Sequence, residues 1–401
     1  MSRTSIPQTV ASPVEGYDLI VVGAGIFGLT IAEHAANLMG KRVCVIERRW
    51  HIGGNCFSEI DPDSGIEYHT YGSHLFHTDN EQVWDYLRRF TTFTSYRHRV
   101  LTLHNGQAYQ MPINLATICS FFGRYFTPGE ARELIQRQID AEAISVPENL
   151  EEKSLSLIGR PLYEAFIKHY TKKQWQTDLT KLPPDIIARL PVRFNFDPYY
   201  FSNRHEGLPT DGYRAIFPKM VASPLIDVRL DTDFHDLRRQ VQPGQVVVYT
   251  GPIDRYFDCR LGELGWRTLD LERETLDTDD FQGTSVMNYA DEQVPFTRIH
   301  EYKHLHPERT HKSGKTVICR EYSRSAGRGD EPYYPIHTAA DKKLYEAYRT
   351  LAAREPNVIF GGRLGCYTYI DMDKAVAAAI GAFCTEVAPR LADSRPRARA
   401  A

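Results

Sequence analysis

The sequence predicts an α/β protein. A parallel sheet of dinucleotide-binding type is built from separated stretches of chain, and a helical insert and an antiparallel sheet interrupt it. Three observations carry this expectation. A strand–glycine loop–helix–strand unit lies near the start of the chain, and two further buried strands stand in the middle and near the end. Between them lie one amphipathic helical stretch and two stretches rich in strand-forming residues.

The elements follow in order. YDLIVVG (17–23) is a continuous apolar run closed by glycine, the pattern of a strand buried on both faces. Residues 26–39 repeat apolar side chains at helical spacing, and KRVCVIE (41–47) is a second strand. QVVVYTG (245–251) and NVIFGG (357–362) are two more strands, and an alanine-rich helix covers 373–387. Residues 130–175 read as helical, with Leu155, Ile158, Leu162 and Phe166 on one face and Pro161 opening a fresh helix in its first turn. RHRVLTLHNGQAYQMP (97–112) alternates, turns at Asn105-Gly106 and alternates again, as a hairpin does. Residues 189–201 and 266–335 are rich in Tyr, Phe, Val and Thr and read as strands. The expected organisation is a dinucleotide-binding domain of 1–92, 209–255 and 336–401, a helical subdomain of 114–187, and an antiparallel sheet domain of 93–113, 188–208 and 256–335.

Composition narrows the function. The 401 residues hold 48 Lys and Arg against 51 Asp and Glu, so no basic excess points to nucleic acid. An anionic ligand must be met by locally placed cations. Seven cysteines with no CxxC pair argue against a disulfide framework or a zinc ribbon and suit a cytoplasmic protein, and no metal site is expected. The apolar run from Leu19 is too short and too glycine-rich to span a bilayer, and the first residues lack a secretory pattern. Residues 1–16 and the RPRARAA end are expected to be disordered arms.

Gly23-Ala24-Gly25-Ile26-Phe27-Gly28 is a GxGxxG between a strand and a helix. Gly23 permits the tight turn, Gly25 lets a pyrophosphate approach the backbone, and Gly28 lets helix and strand pack closely. Glu47 ends the second strand, where an acid binds a ribose hydroxyl. Arg48 follows, and Gly53-Gly54-Asn55 gives a glycine pair where FAD proteins related to amine oxidases and glutathione reductase let the chain pass a bulky cofactor. Gly361 to Gly365 precede the last helix, and Arg363 there pairs either with a cofactor phosphate or with a surface carboxylate.

Ten separated motifs then stand in order: ERRWHIGGN (from Glu47), YGSHLFHTDN (Tyr71), HYTKKQW (His169), RLPVRF (Arg189), YTGPIDRYF (Tyr249), VMNY (Val286), TRIHEYKH (Thr297), EYSR (Glu321), EPYYPI (Glu331) and GRLGCYTYIDM (Gly362). In this order and spacing the chain, from about Tyr17 to Glu386, closely resembles the bacterial UDP-galactopyranose mutase family. The resemblance implies an FAD-dependent isomerase, active with reduced flavin, that interconverts UDP-galactopyranose and UDP-galactofuranose without net redox. In that family the flavin displaces UDP to form a covalent flavin–sugar adduct, which opens and recloses through another hydroxyl. The product supplies galactofuranose for cell-surface glycans.

The resemblance also implies residue roles. Arg189 and Arg298 match the two diphosphate arginines, and arginine's bidentate fork suits that task. Tyr170, Tyr200, Tyr334 and Tyr369 match positions around the diphosphate and sugar. Trp175 and Phe201 match the uridine and sugar surroundings, and Asn288 a position near sugar or flavin. Asp371 matches a carboxylate near the pocket, or simply caps the last helix. His74 matches a histidine at the flavin, or is a satisfied structural histidine. Ser73 stands where the family usually has proline, His98 where enterobacterial relatives have asparagine, and His337 where another polar residue is expected. Ile26, Phe27 and Met372 are expected along the cofactor. Residues 176–190, with Lys181-Leu182-Pro183-Pro184, are expected to form a mobile loop closing over UDP. The resemblance further implies a homodimer and NAD(P)H as reductant.

Three rivals remain at this point: an amine-oxidase-like flavin oxidoreductase, a flavin-free binding module like a GDP-dissociation inhibitor, and the same chemistry on another UDP-sugar. RLPVRF and TRIHEYKH have no place in the first. Bound flavin excludes the second. One or two hydroxyl contacts decide the third.

Overall fold

The computed structural model describes residues 14–186, 192–312 and 314–393. Residues 1–13 and the RPRARAA end lie outside them. The chain is already fixed at residue 14 rather than after 16. Val14 is buried, and Gln245 Nε2 donates to the carbonyls of Val14 and Tyr17 at 2.7 and 2.8 Å.

Five strands form a wholly parallel sheet in the order Val358–Phe360, Val246–Tyr249, Leu19–Val22, Val43–Ile46, Ile226–Arg229. Their unbroken apolar runs follow from burial on both faces. Leu19, Val21, Val43, Val45, Val246 and Val248 enter one core, and Ile20, Val22, Cys44, Ile46, Val247 and Tyr249 enter the core on the other side. Helix Ile26–Met39 covers the first face, packed against helix Met372–Ala382. That last helix runs on past the expected end at 387. It passes through a wider turn, Phe383–Val387, to Asp393. Among the described residues, Met372–Asp393 is long and apolar enough by composition to cross a membrane, which the reading of the 19–32 run overlooked. Its inner face, including Val376, Ala379, Phe383 and Leu391, is buried in the core.

A second sheet has seven strands in the order Tyr334–Pro335, Trp266–Leu276, Thr316–Ser325, Arg298–Glu301, Val286–Tyr289, Val100–His104, Gln107–Met111. The hairpin at 100–111 turns through Asn105 and Gly106, both with positive φ, as the Asn-Gly signal requires. The sheet is not purely antiparallel. Val286–Tyr289 pairs parallel to Val100–His104, which the long intervening chain makes possible. A second departure concerns 189–201. Residues 187–191 lie outside the described residues, and 192–201 are irregular rather than a strand. The cause is local: Asn195 Oδ1 accepts from Asp197 N and Asp197 Oδ1 from Tyr199 N, each at 3.1 Å, so short polar side chains take the amides a neighbouring strand would need.

The helical insert is as patterned, with a break between helices Pro128–Asp140 and Leu150–Ile158. Thr127 and Glu130 cap the first reciprocally, and Pro161 lies in the first turn of Arg160–Leu162. Leu155, Ile158, Leu162 and Phe166 are all buried in one cluster. After a wide turn at Tyr163–Lys168 the chain enters helix His169–Trp175, which lies on strand Thr316–Ser325.

One lysine fixes that helix. Lys173 Nζ donates to the carbonyls of Tyr289, Asp291, Val294 and Phe296 at 2.6, 2.9, 3.0 and 3.2 Å. These carbonyls belong to the end of strand Val286–Tyr289 and the turn leading to Arg298–Glu301. Burial lowers the Lys173 ammonium to about 8. Among the described residues, the neighbouring Lys172 pairs with the exposed Glu292, at 3.1 Å. Lys173→Met should therefore cost on the order of 2–4 kcal/mol, since it leaves several half-buried carbonyls unpaired. Lys172→Met should cost under about 0.5 kcal/mol. Urea unfolding of the two variants checks this; equal effects would contradict it.

Candidate functional site

A single cavity of about 1460 Å³ runs from the glycine loop of the parallel sheet to the floor of the second sheet. Pockets for one drug-sized ligand measure about 300–1,000 Å³, so this one has room for two adjoining ligands.

At the first end the chain comes close to itself. A Cβ on Gly28 would stand 2.2 Å from the Gly23 carbonyl oxygen, so helix and strand can approach this closely only at glycine. Gly53, at φ 103, faces the Phe217 ring, where a Cβ would sit 2.4 Å away. Its N–H donates to the Ala24 carbonyl at 2.7 Å, which locks the ERRWHIGGN segment onto the glycine loop. Gly25 differs. A Cβ there would meet only Gly54 Cα, at 4.0 Å, so its missing side chain leaves open space in the cavity wall. Glu47 Oε2 accepts from Ala24 N at 2.8 Å and Oε1 from Arg49 N at 2.9 Å, which holds the carboxylate at the strand end. Gly23, Ile26, Phe27, Gly54 and Asn55 line this end, and Arg48 lies beside it, paired with Glu331. The open wall at Gly25, the acid at the strand end and the cavity's size fit a dinucleotide, the class to which the expected FAD belongs.

Arg363 sits deeper, on the short helix Gly362–Gly365. Its Nη1 donates to the carbonyls of Pro332, at 2.7 Å, and Tyr333. Burial lowers its pKa, and no carboxylate pairs with it among the described residues, so the surface-pair alternative does not hold. Met372 and Asp371 also line the cavity. Asp371 occupies the N-cap position of the last helix, but its side chain makes no capping bond and interacts with Tyr369 instead.

The other end is a row across the second sheet. The register places Thr102, Asn288, Arg298 and Glu321 side by side, and all four line the cavity. Arg298 Nε lies 3.2 Å from Glu321 Oε1, and Tyr170 packs 5.9 Å from the guanidinium. Burial alone would neutralise both partners. The mutual attraction outweighs it, raising the Arg298 pKa and, with the His300 hydrogen bond, holding the Glu321 carboxyl at about 2. Asn288 Oδ1 is buried with no hydrogen-bond partner among the described residues.

The remaining expected residues also line this cavity. Tyr170 and Trp175 come from helix His169–Trp175, and Tyr200 and Phe201 from the irregular segment. Phe201 stacks on His77 at 3.7 Å and lies 5.9 Å from His98. Tyr334 and Tyr369 stand with ring centroids 5.8 Å apart. Burial pushes His98 down to about 3 and His74 down to about 4. His74 Nδ1 lies 2.8 Å from the Gly72 carbonyl and donates to it. Arg189 lies outside the described residues. His337 does not line the cavity; it is a left-handed residue with φ 59 whose ring packs near Tyr367.

Among the cavity residues, Arg49, His300, Glu321 and Glu331 were given no role in the sequence analysis, and Ser73 was noted there only as a departure from the family's proline. Arg49 bonds Glu331 at 2.6 Å and Asn55 Oδ1 at 2.9 Å, and lies over the Tyr71 ring at 4.2 Å. Ser73, His300 and Glu321 form a connected set. All lie inside the quoted motifs, but only strand register shows which of their residues face inward.

Glu321 makes a pH test possible. Its folded pKa is depressed from an ordinary 4.5 to about 2, so its stabilising contribution is complete above the ordinary value and is lost as pH falls through the folded one. Denaturant midpoints of the native chain should fall steeply between about pH 4.5 and 2. Those of Glu321→Gln should start lower and fall less steeply over the same window. Parallel curves would remove Glu321 as the source.

Comparisons with known proteins agree with this architecture. The family model for UDP-galactopyranose mutase matches residues 165–369, and one for an NAD(P)-binding Rossmann-like domain matches 21–90. A curated Klebsiella pneumoniae protein named "Probable UDP-galactopyranose mutase" is 42% identical over 90% of this chain and 93% of its own length. The dTDP-fucopyranose mutase of Escherichia coli is 39% identical over 90% of this chain and 96% of its own. A crystal structure of reduced UDP-galactopyranose mutase superposes with a TM-score of 0.72 at 13% identity, covering 94% of this chain and 96% of that one, which is a likeness of fold. With a family model over half its length and relatives this similar over nine-tenths of it, the chain belongs to the UDP-galactopyranose mutase family.

Proposed function

We propose that this chain is an isomerase that interconverts UDP-galactopyranose and UDP-galactofuranose with reduced FAD and no net redox change. One observation carries the reading: a single cavity joins a dinucleotide-type glycine loop to a row of polar side chains with an arginine at its centre.

In this reading FAD is held by Gly23, Gly25 and Gly28 with Ile26 and Phe27, by Glu47 at a ribose hydroxyl, by Arg48, Gly54 and Asn55, and by Arg363 and Met372 at its phosphate or ring side. Bound there in its reduced form, FAD would supply a nucleophile for the anomeric carbon with no net change in its own redox state. The protein's own residues do the rest. Arg298 and Arg189 bind the diphosphate, and their fixed charge grows in value as negative charge collects on the departing UDP. Burial raises the pKa values of Tyr170, Tyr334 and Tyr369, so each stays a hydroxyl donor beside the phosphates and sugar at neutral pH. Trp175, Tyr200 and Phe201 pack on the uridine and sugar. Asn288 Oδ1 and His98 meet sugar hydroxyls, and Asp371 orients Tyr369. With its Nδ1–H committed to Gly72, uncharged His74 presents Nε2 as a proton acceptor.

The finer expectations belong here too: domains divided at the boundaries given above, a loop over 176–190 that closes on UDP, a homodimer, NAD(P)H as reductant, a cytoplasmic site of action and galactofuranose supplied to surface glycans. The similarity to a dTDP-fucopyranose mutase supports a second reading, the same ring contraction on a deoxysugar nucleotide.

Purified protein should absorb in the flavin bands. Incubated with UDP-galactofuranose, it should form the pyranose isomer with dithionite and not without it, and Arg298→Ala should lower kcat/KM by at least about 100-fold. Turnover of the dTDP-fucose pair alone would select the second reading. Net sugar oxidation, or no conversion of either, would reject both.

A further inference from the structure

A polar chain runs behind Arg298. His300 is two residues further along the same strand and so faces the same side. Its Nε2 lies 3.2 Å from Glu321 Oε2, and its Nδ1 lies 2.8 Å from Ser73 Oγ. Glu321 Oε1 in turn faces Arg298 Nε at 3.2 Å. Glu321 and His300 are both buried, and the path Ser73–His300–Glu321–Arg298 joins the loop bearing His74 to the arginine at the other end of the cavity.

We propose that His300, fixed by Ser73, is a positioning residue that sets the direction in which Arg298 presents its guanidinium to the diphosphate. The inference rests on the reading of Arg298 as a diphosphate ligand. The geometry determines how the chain works. An imidazole nitrogen against a carboxylate carries the proton, so His300 donates from Nε2 to Glu321. That leaves Nδ1 as an acceptor, and the Ser73 hydroxyl is the donor that fills it. Ser73 thereby selects the tautomer and ring orientation, and the ring pins one oxygen of Glu321. The other carboxylate oxygen stands 3.2 Å from Arg298 Nε as an ion pair without a hydrogen bond, and its charge draws the Nε edge toward it, so that Nη1 and Nη2 are left for the ligand. Thr297 Oγ1 reaches Glu321 Oε1 only at 3.4 Å, too far to replace His300. Without His300, Glu321 can swing and Arg298 follows it.

The test uses the flavin-loaded protein and UDP itself, titrated by calorimetry. Loss of a hydrogen bond to a charged group corresponds to about tenfold in affinity, so His300→Ala should weaken UDP binding by about that factor. Ser73→Ala, which removes one oxygen, should weaken it about threefold, and Ser73→Thr should restore it. In an Arg298→Ala background neither substitution should change affinity further, because the effect passes through that side chain. A purely structural role would instead lower affinity equally in both backgrounds. If His300→Ala does not fold, the Ser73 pair and its double variants decide the question alone. Unchanged affinity in Ser73→Ala and His300→Ala, or equal losses with and without Arg298, would overturn the inference. A native protein that binds no UDP would instead overturn the reading of the site.

Discussion

A guanidinium at the floor of a cavity has to be paired before its anion arrives. A lone buried charge costs several kcal/mol. Arg298 meets this demand through its cross-strand neighbour, since the antiparallel register places Glu321 directly opposite. Pairing has a consequence. The Arg298–Glu321 unit is close to neutral, so it holds direction rather than net attraction. Arg363 differs: among the described residues its guanidinium is held by the carbonyls of Pro332 and Tyr333 and by no carboxylate. The cavity therefore holds two arginines in different settings: one stands against a carboxylate, and the other has no carboxylate partner among the described residues.

The same logic of close approach shapes the other end. The glycine loop accepts a ligand because Gly25 leaves a gap, and the gap stays in place because Gly28 and Gly53 let strand, helix and the second loop press together behind it. The two ends belong to different sheets, built from stretches that alternate along the chain. Such interleaving makes the sheets hard to move apart without breaking several crossings. The Lys173 contacts add a tie of the same kind, from the helix carrying Tyr170 and Trp175 to the turn between the strands carrying Asn288 and Arg298.

What could be read from the sequence was whatever depends on neighbours in sequence. Strand 19–22 and helix 26–39 follow from apolar runs, periodicity and punctuating glycines, and the 105–106 turn follows from one dipeptide. The expected site residues that are described in the structure, His337 excepted, lie along one cavity. What stayed hidden depends on partners far away. Glu321 matters because it stands opposite Arg298, and Ser73 because His300 reaches it across 227 positions. The irregular run 192–201 misled for the opposite reason. Its composition favours a strand, but Asn195 and Asp197 bind the backbone locally and override it.

Reading the tyrosines and histidines together gives a further constraint on the chemistry. Burial raises the phenols and lowers His74 and His98, so at neutral pH every one of them is uncharged. A lining of neutral side chains around fixed arginines lets negative charge shift along a diphosphate without the phenols having to lose a proton. Such preorganised dipoles need little rearrangement as charge moves, and this is where electrostatic stabilisation of a departing group is strongest. A reaction whose hard step is the departure and return of a nucleoside diphosphate suits this lining. Two of the wall's carboxylates, Glu321 and Glu331, are themselves bound to arginines, which holds them as charged partners rather than free bases.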